Sequence, residues 1–225
     1  MMMAPPELAE AVQRFSVWVI PLVLSITLHE AAHGLAAWRL GDDTAWRMGR
    51  VSANPLRHID VFGTLILPGI LLLTSSGVLF GWAKPVPVNF GRLRPLRLGM
   101  ILVALAGPAT NMALAVISML LLHVSPYLPS MFRVWGEANL TNSVMINLVL
   151  AVFNMLPLPP LDGGRVLVGL LPRRLAIPLA KMERYTFILL LVGLFLLPMI
   201  GINVFFWLVE VPVDFMAQVL FQIAG

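Results

Sequence analysis

Apolar residues gather into long runs at roughly 15–37, 61–80, 99–123, 142–160 and 186–222, separated by shorter polar stretches. Runs near 20 residues have the length of a membrane-crossing helix. The last is long enough to turn near Pro198 and Gly201 and cross twice. The pattern predicts an all-α polytopic membrane protein with five to six transmembrane helices.

Composition narrows the class. Of the 225 residues 59% are hydrophobic and 12% charged, against about 25% charged in a soluble domain. Soluble globular, disordered, collagen-like and coiled-coil classes are excluded. A single membrane-embedded domain over 1–225 is expected, with a motif-bearing core at about 15–170 and C-terminal helices at about 186–222. There is no cysteine, so any metal must be held by His and carboxylates. The net charge of +4 resides in short basic clusters between apolar runs, as membrane-flanking Lys and Arg do, and nucleic acid is not an expected partner. Met1 to Arg14 has Glu7 and Glu10 but no basic n-region, so the first helix is expected to be retained.

The basic residues also test topology. If 61–80 is an ordinary span, they divide ten to five between the two faces. If instead 61–91 dips in as a helix and returns as the Pro-rich piece Gly81-Trp82-Ala83-Lys84-Pro85-Val86-Pro87-Val88-Asn89, they divide thirteen to two. The sharper positive-inside bias favours a re-entrant Pro-rich hairpin, with the N-terminus outside. Non-helical backbone at membrane depth must be covered by protein or line a water-filled cavity.

The first apolar run contains His29-Glu30-Ala31-Ala32-His33. On a helix, imidazoles at i and i+4 share a face and can share a zinc ion, with Glu30 beside them as a general base. Ionisable groups inside an apolar helix are costly, and are a functional site by default. Two His on one helix cannot be opposite axial ligands of a haem iron. A catalytic zinc wants a third protein ligand and an open position, and His58 and Asp162 both lie near a membrane boundary. Asp162 follows the turn Asn154-Met155-Leu156-Pro157-Leu158-Pro159-Pro160-Leu161 and precedes Gly163-Gly164, so its carboxylate can point back into the membrane. His29 lies about 21 Å along the first helix from residue 15, near the same cytoplasmic depth as Asp162.

His-Glu-Ala-Ala-His in an early helix, Gly107-Pro108-Ala109-Thr110-Asn111 in a middle one and Asn154…Pro157…Leu161-Asp162-Gly163 later resemble the site-2 protease family of intramembrane zinc metallopeptidases. The likeness covers roughly residues 18–170. It is closest to the compact bacterial branch without PDZ or CBS domains, which also carries Gly41-Asp42, Asn54-Pro55…His58 and Gly81 to Asn89. The resemblance implies one zinc held by His29, His33 and Asp162, with Glu30 activating the water that attacks a peptide bond. It also implies oxyanion or substrate-positioning roles for Asn111 and Asn154, although asparagines also serve as helix-to-helix glue. The expected substrate is a transmembrane protein, cleaved in the bilayer of a bacterial inner membrane with the site toward the cytoplasm. Oligomeric state is not readable.

The hairpin Lys84, Pro85, Val86, Pro87, Val88 and Asn89 offers an extended edge that can pair with an unwound substrate segment. Val86→Pro removes one of its donors. His58 with Asp60 either orients a ligand or rests at the polar interface. Gly107 permits close helix packing. The chief rivals are a non-catalytic metal-binding membrane protein or client-helix chaperone of the same fold, and a metal transporter. The first would usually have lost Glu30 or a ligand, and the second lacks its repeated halves.

Overall fold

A computed structural model of the protein describes residues 6–66, 70, 83–127 and 129–224. The described residues are helical, with extended and turn connections and no strand among them. Helix α1 (Pro6–Arg39) is followed by the single turn α2 (Thr44–Arg47), then by a π-helical segment at Val61–Ile66. Most of the expected dip, residues 67–69 and 71–82, lies outside the described residues. Residues 83–89 then run extended, as Pro85 and Pro87 require. Helix α3 (Leu96–Leu122), helix α4 (Ser130–Asn154), the short helix α5 (Asp162–Leu170) and helix α6 (Arg173–Lys181) follow. The C-terminal run forms α7 (Glu183–Met199), a turn at Ile200 and Gly201, and α8 (Val211–Ala224) after a π-helical entry at Phe206–Glu210. Gly201 makes that turn in the left-handed region, φ +82°, where a side chain would be strained.

Helices α1, α3 and α4 pack on one another, α5 lies on α3, and α8 closes against α3 and α4. The core is apolar where α3, α4 and α8 meet: Ala115, Met119, Val144, Leu148, Val209, Val213 and Ala217 are all buried there. Three helices are long and apolar enough to cross a membrane, over Phe15–Arg39, Leu96–Leu122 and Phe206–Ile223, and a fourth if the bent pair α6–α7 counts as one span. The five to six read from the apolar runs is therefore not reached among the described residues. One physical reason lies in α4, whose Asn139, Asn142, Asn147 and Asn154 lower its hydropathy. Asn142 and Asn147 tie α4 to its neighbours: the Asn142 amide donates to the Val17 carbonyl of α1 at 2.8 Å, and Asn147 bonds to Asn111 of α3.

Candidate metal centre

Three side chains from distant parts of the chain converge inside the bundle. His29 and His33 stand one turn apart on α1, and Asp162 opens α5; they are 6%, 7% and 4% exposed. The prolines 157, 159 and 160 end the α4 path, and the chain folds back so tightly that Gly163 and Gly164 meet it. A Cβ at Gly163 would overlap the Met155 carbonyl, and one at Gly164 the backbone at Leu158 and Pro159. The Thr186 hydroxyl of α7 donates to the Pro159 carbonyl and pins the turn from outside. Asp162 thereby starts a helix, where the free N–H groups favour its negative charge.

The second nitrogens of the imidazoles set the tautomers. His33 Nδ1 lies 2.7 Å from the Val103 carbonyl oxygen, which can only accept, so Nδ1 carries the proton. His29 Nδ1 lies 2.5 Å from Asn111 Oδ1 and donates to it in the same way. With each imidazole neutral, both Nε2 lone pairs then turn inward. They are 3.0 Å apart and each is 3.3 Å from Asp162 Oδ2. That oxygen is buried without a hydrogen-bond partner. Three acceptors facing one another in an apolar interior repel unless a cation lies among them. A proton satisfies two at most, whereas a metal ion takes all three. His29, His33 and Asp162 form a group whose ligand atoms lie within 4.8 Å of one another, and two imidazoles with a carboxylate suit zinc.

Asp162 lies beyond the spanning helices. Burial works to raise its carboxyl, but before a metal ion enters, a proton shared with His29 and His33 supplies hydrogen bonds and positive charge that reverse this and hold it down at about 2. The ionised form is the one a ligand needs.

Gly107 has a more specific place than close packing. A Cβ there would lie 2.5 Å from His29 Cε1 and from His33 Nε2, so the bare backbone of α3 forms one wall of the donor pocket. Pro108 next to it cannot donate to the Ala104 carbonyl.

Glu30, on α1 between the two His, is partly exposed, and its Oε2 accepts the Val86 N–H at 2.7 Å. The extended piece Lys84–Asn89 therefore lies against the site, fixed at several points. Arg50, itself buried, donates from Nη2 to the Lys84 carbonyl at 2.6 Å, and Lys84 N–H donates to the His58 carbonyl at 2.9 Å. Asn89 N–H donates to Asp42 at 2.6 Å. Asp42 is fully buried just after α1 and also accepts from Thr44 N–H and Oγ1. Since Val86 N–H is taken by Glu30 and Pro85 and Pro87 have none, Val88 N–H is the piece's one backbone donor without a partner among the described residues.

Other expected residues fall elsewhere. His58 is buried, its Nε2 2.9 Å from the Ser52 carbonyl, under the hairpin and outside the converging group. Asn154 ends α4, and its Nδ2 donates to the Leu150 carbonyl of its own helix at 2.9 Å; among the described residues nothing bonds it to the three donors. Asn111 bonds to a ligand candidate rather than facing an open cleft. Asn147 and Arg50 were not foreseen, and Asp42 figured only as part of the Gly41-Asp42 motif, without a role. An Asn in the middle of an apolar run and an Arg beside the motif loops are signals of a buried polar network.

Comparison with known proteins finds relatives named as zinc metalloproteases. The model of peptidase family M50 matches residues 136–200. The chain is 40% identical over 193 residues to "Putative zinc metalloprotease YwhC" of Bacillus subtilis, covering 80% of each. It is 32% identical over 191 residues to "Putative zinc metalloprotease Rip2" of Mycobacterium tuberculosis, covering 84% of this chain and 71% of that one. Against "Putative zinc metalloprotease MJ0611" of Methanocaldococcus jannaschii it is 31% identical over 157 residues, 68% and 70% covered. No solved structure matches significantly.

Proposed function

Because the chain belongs to peptidase family M50, we propose that it is an intramembrane protease that cleaves peptide bonds in or beside transmembrane segments of other proteins. It is an integral membrane metallopeptidase, and its metal is zinc. The observation that carries the reading is the buried trio of acceptors at His29, His33 and Asp162, whose donor set suits a divalent cation, with the Glu30 carboxylate on the helix that bears both His. When bound, zinc supplies a Lewis acid and makes water acidic enough to ionise near neutral pH. His29, His33 and Asp162 hold it. Glu30, its Oε2 occupied by Val86 N–H, uses Oε1 to take a proton from the attacking water and to hand it to the departing amine nitrogen.

The hairpin steadies Glu30 and borders the substrate path. An unwound client strand pairs with it through Val88 N–H and the free carbonyls. Val86→Pro thus reads the Glu30 anchor and Val88→Pro reads strand pairing. Loss of one net hydrogen bond predicts about a 3–10-fold fall in kcat/KM for Val88→Pro at unchanged zinc content; cleavage at the wild-type rate would argue against pairing there. The positive-inside bias of the basic loops supports a site facing the cytoplasm in a bacterial inner membrane.

The test is purified full-length protein in lipid with a model transmembrane substrate. One zinc per chain and cleavage that a chelator stops and added zinc restores are expected, with zinc lost from Asp162→Ala. Zinc without cleavage of several substrates would favour the client-binding reading, and absence of zinc would overturn the assignment.

A further inference from the structure

A buried polar chain runs outward from the centre through three helices. Asn111 and Asn147 are both 0% exposed, in a part of the bundle otherwise filled by Ala115, Val144 and Leu148. Asn111 Nδ2 donates to Asn147 Oδ1 at 2.8 Å, and Asn147 Nδ2 donates to the Ser143 carbonyl one turn back on α4 at 2.8 Å. Ser143 Oγ lies 3.3 Å from the same nitrogen and 2.7 Å from Ser118 Oγ on α3. Three amide or imidazole groups in an apolar interior are retained against their desolvation cost only when every member is satisfied.

The order of donors and acceptors along this chain is forced from its far end. The Ser143 carbonyl can only accept, so the amide nitrogen of Asn147 must face it and the Asn147 oxygen must face Asn111. Asn111 then has to present its own nitrogen to Asn147 and its oxygen to His29. An oxygen at that place requires the proton of His29 on Nδ1, which frees Nε2 toward Asp162 and His33. A flipped Asn111 would offer N–H to Nδ1, move the imidazole proton to Nε2 and block a metal ion there.

We propose that Asn147 is a positioning residue that, through Asn111, holds His29 in the tautomer able to bind the metal. The proposal rests on the reading of His29 as a zinc ligand. His33 needs no such relay, because its Nδ1 partner is itself a carbonyl. The two ligands of α1 are thus oriented by different means, one by backbone and one by an amide pair whose direction is set on α4.

Two nearly isosteric substitutions separate positioning from plain structure. Asn147→Asp keeps an acceptor facing Asn111; its other oxygen cannot donate to the Ser143 carbonyl, and turns instead to accept from the Ser143 hydroxyl. Asn147→Leu keeps the volume but removes the acceptor, so Asn111 is free to flip. If Asn147 serves packing alone, the buried carboxylate is the more destabilising change and Asn147→Leu leaves zinc affinity at the wild-type value. Positioning predicts opposite orders: Asn147→Leu has the higher melting temperature and Asn147→Asp the higher zinc affinity.

The experiment is chelator-competition measurement of zinc affinity on full-length wild type, Asn147→Asp and Asn147→Leu in lipid, with thermal melts of each zinc-free protein. The expected result is about a 10-fold or greater loss of affinity for Asn147→Leu and a value within a few-fold of wild type for Asn147→Asp. Wild-type affinity in Asn147→Leu, or a weaker affinity in Asn147→Asp than in Asn147→Leu, would overturn the positioning role while leaving the zinc site intact. Wild type that takes up no zinc would instead overturn the reading on which the proposal stands.

Discussion

Glu30→Gln is expected to lower kcat/KM by about 10²–10⁴-fold, the range that a positioned general base contributes, with zinc content unchanged. The substitution is nearly isosteric. Gln keeps an oxygen that can accept the Val86 N–H, so the strand that lies against the site stays where the 2.7 Å bond holds it. What is lost is the ability to carry a proton between water and the leaving nitrogen. Glu30→Ala removes both the proton carrier and the anchor, and is expected to be worse in KM as well as in kcat. Paired measurement of the two variants therefore separates chemistry from strand positioning. Equal activity of Glu30→Gln and wild type would show that another group moves the proton.

Gly107→Ala is the second large effect, and it acts on the metal. The added methyl would lie 2.5 Å from both His33 Nε2 and His29 Cε1 and 2.6 Å from His29 Nε2, far inside contact distance. Neither ring can turn away cheaply, because Nδ1 of each is held, one by Asn111 and one by the Val103 carbonyl. The methyl therefore intrudes on the atoms that hold the ion. Zinc affinity should fall by about 100-fold or more, at or beyond the upper end of what loss of an outer ligand partner costs, while overpacking costs about 1–3 kcal/mol of stability. Gly193→Ala is the control: a Cβ there meets nothing within 4 Å, and zinc binding should be unchanged. Full zinc occupancy of Gly107→Ala at limiting metal would show that α3 can yield at this point.

The residues of the centre were legible because their chemistry is costly in lipid. Two His one helical turn apart in an apolar run, and an Asp after a proline-broken one, stand out against their surroundings, and local spacing places the first two on one face. Spacing along the chain says nothing of which partner each Nδ1 finds, so Asn147 passed unremarked and Asn111 was assigned to the substrate side. Asp42 and Arg50 went unforeseen as hairpin anchors for the same reason. They act on backbone groups dozens of residues away, and any polar side chain near a motif would read alike. The helices of α1 and α3 follow their apolar runs closely. Helix α4 does not: it begins at Ser130 and ends at Asn154, because Arg133, Glu137 and four asparagines dilute its hydropathy without breaking the helix, whereas the prolines after Asn154 do break it.

The wide separation of the donors along the chain bears on biosynthesis. His29 and His33 emerge from the ribosome early, whereas Asp162 and the turn that aims it come after α3 and α4. A chain threaded into the bilayer only as far as α4 thus holds His29 and His33 without the Asp162 carboxylate, and the proposed metal centre is incomplete. Proteolysis by the proposed centre would in this way be withheld from the half-made molecule until the later helices have docked on those already inserted.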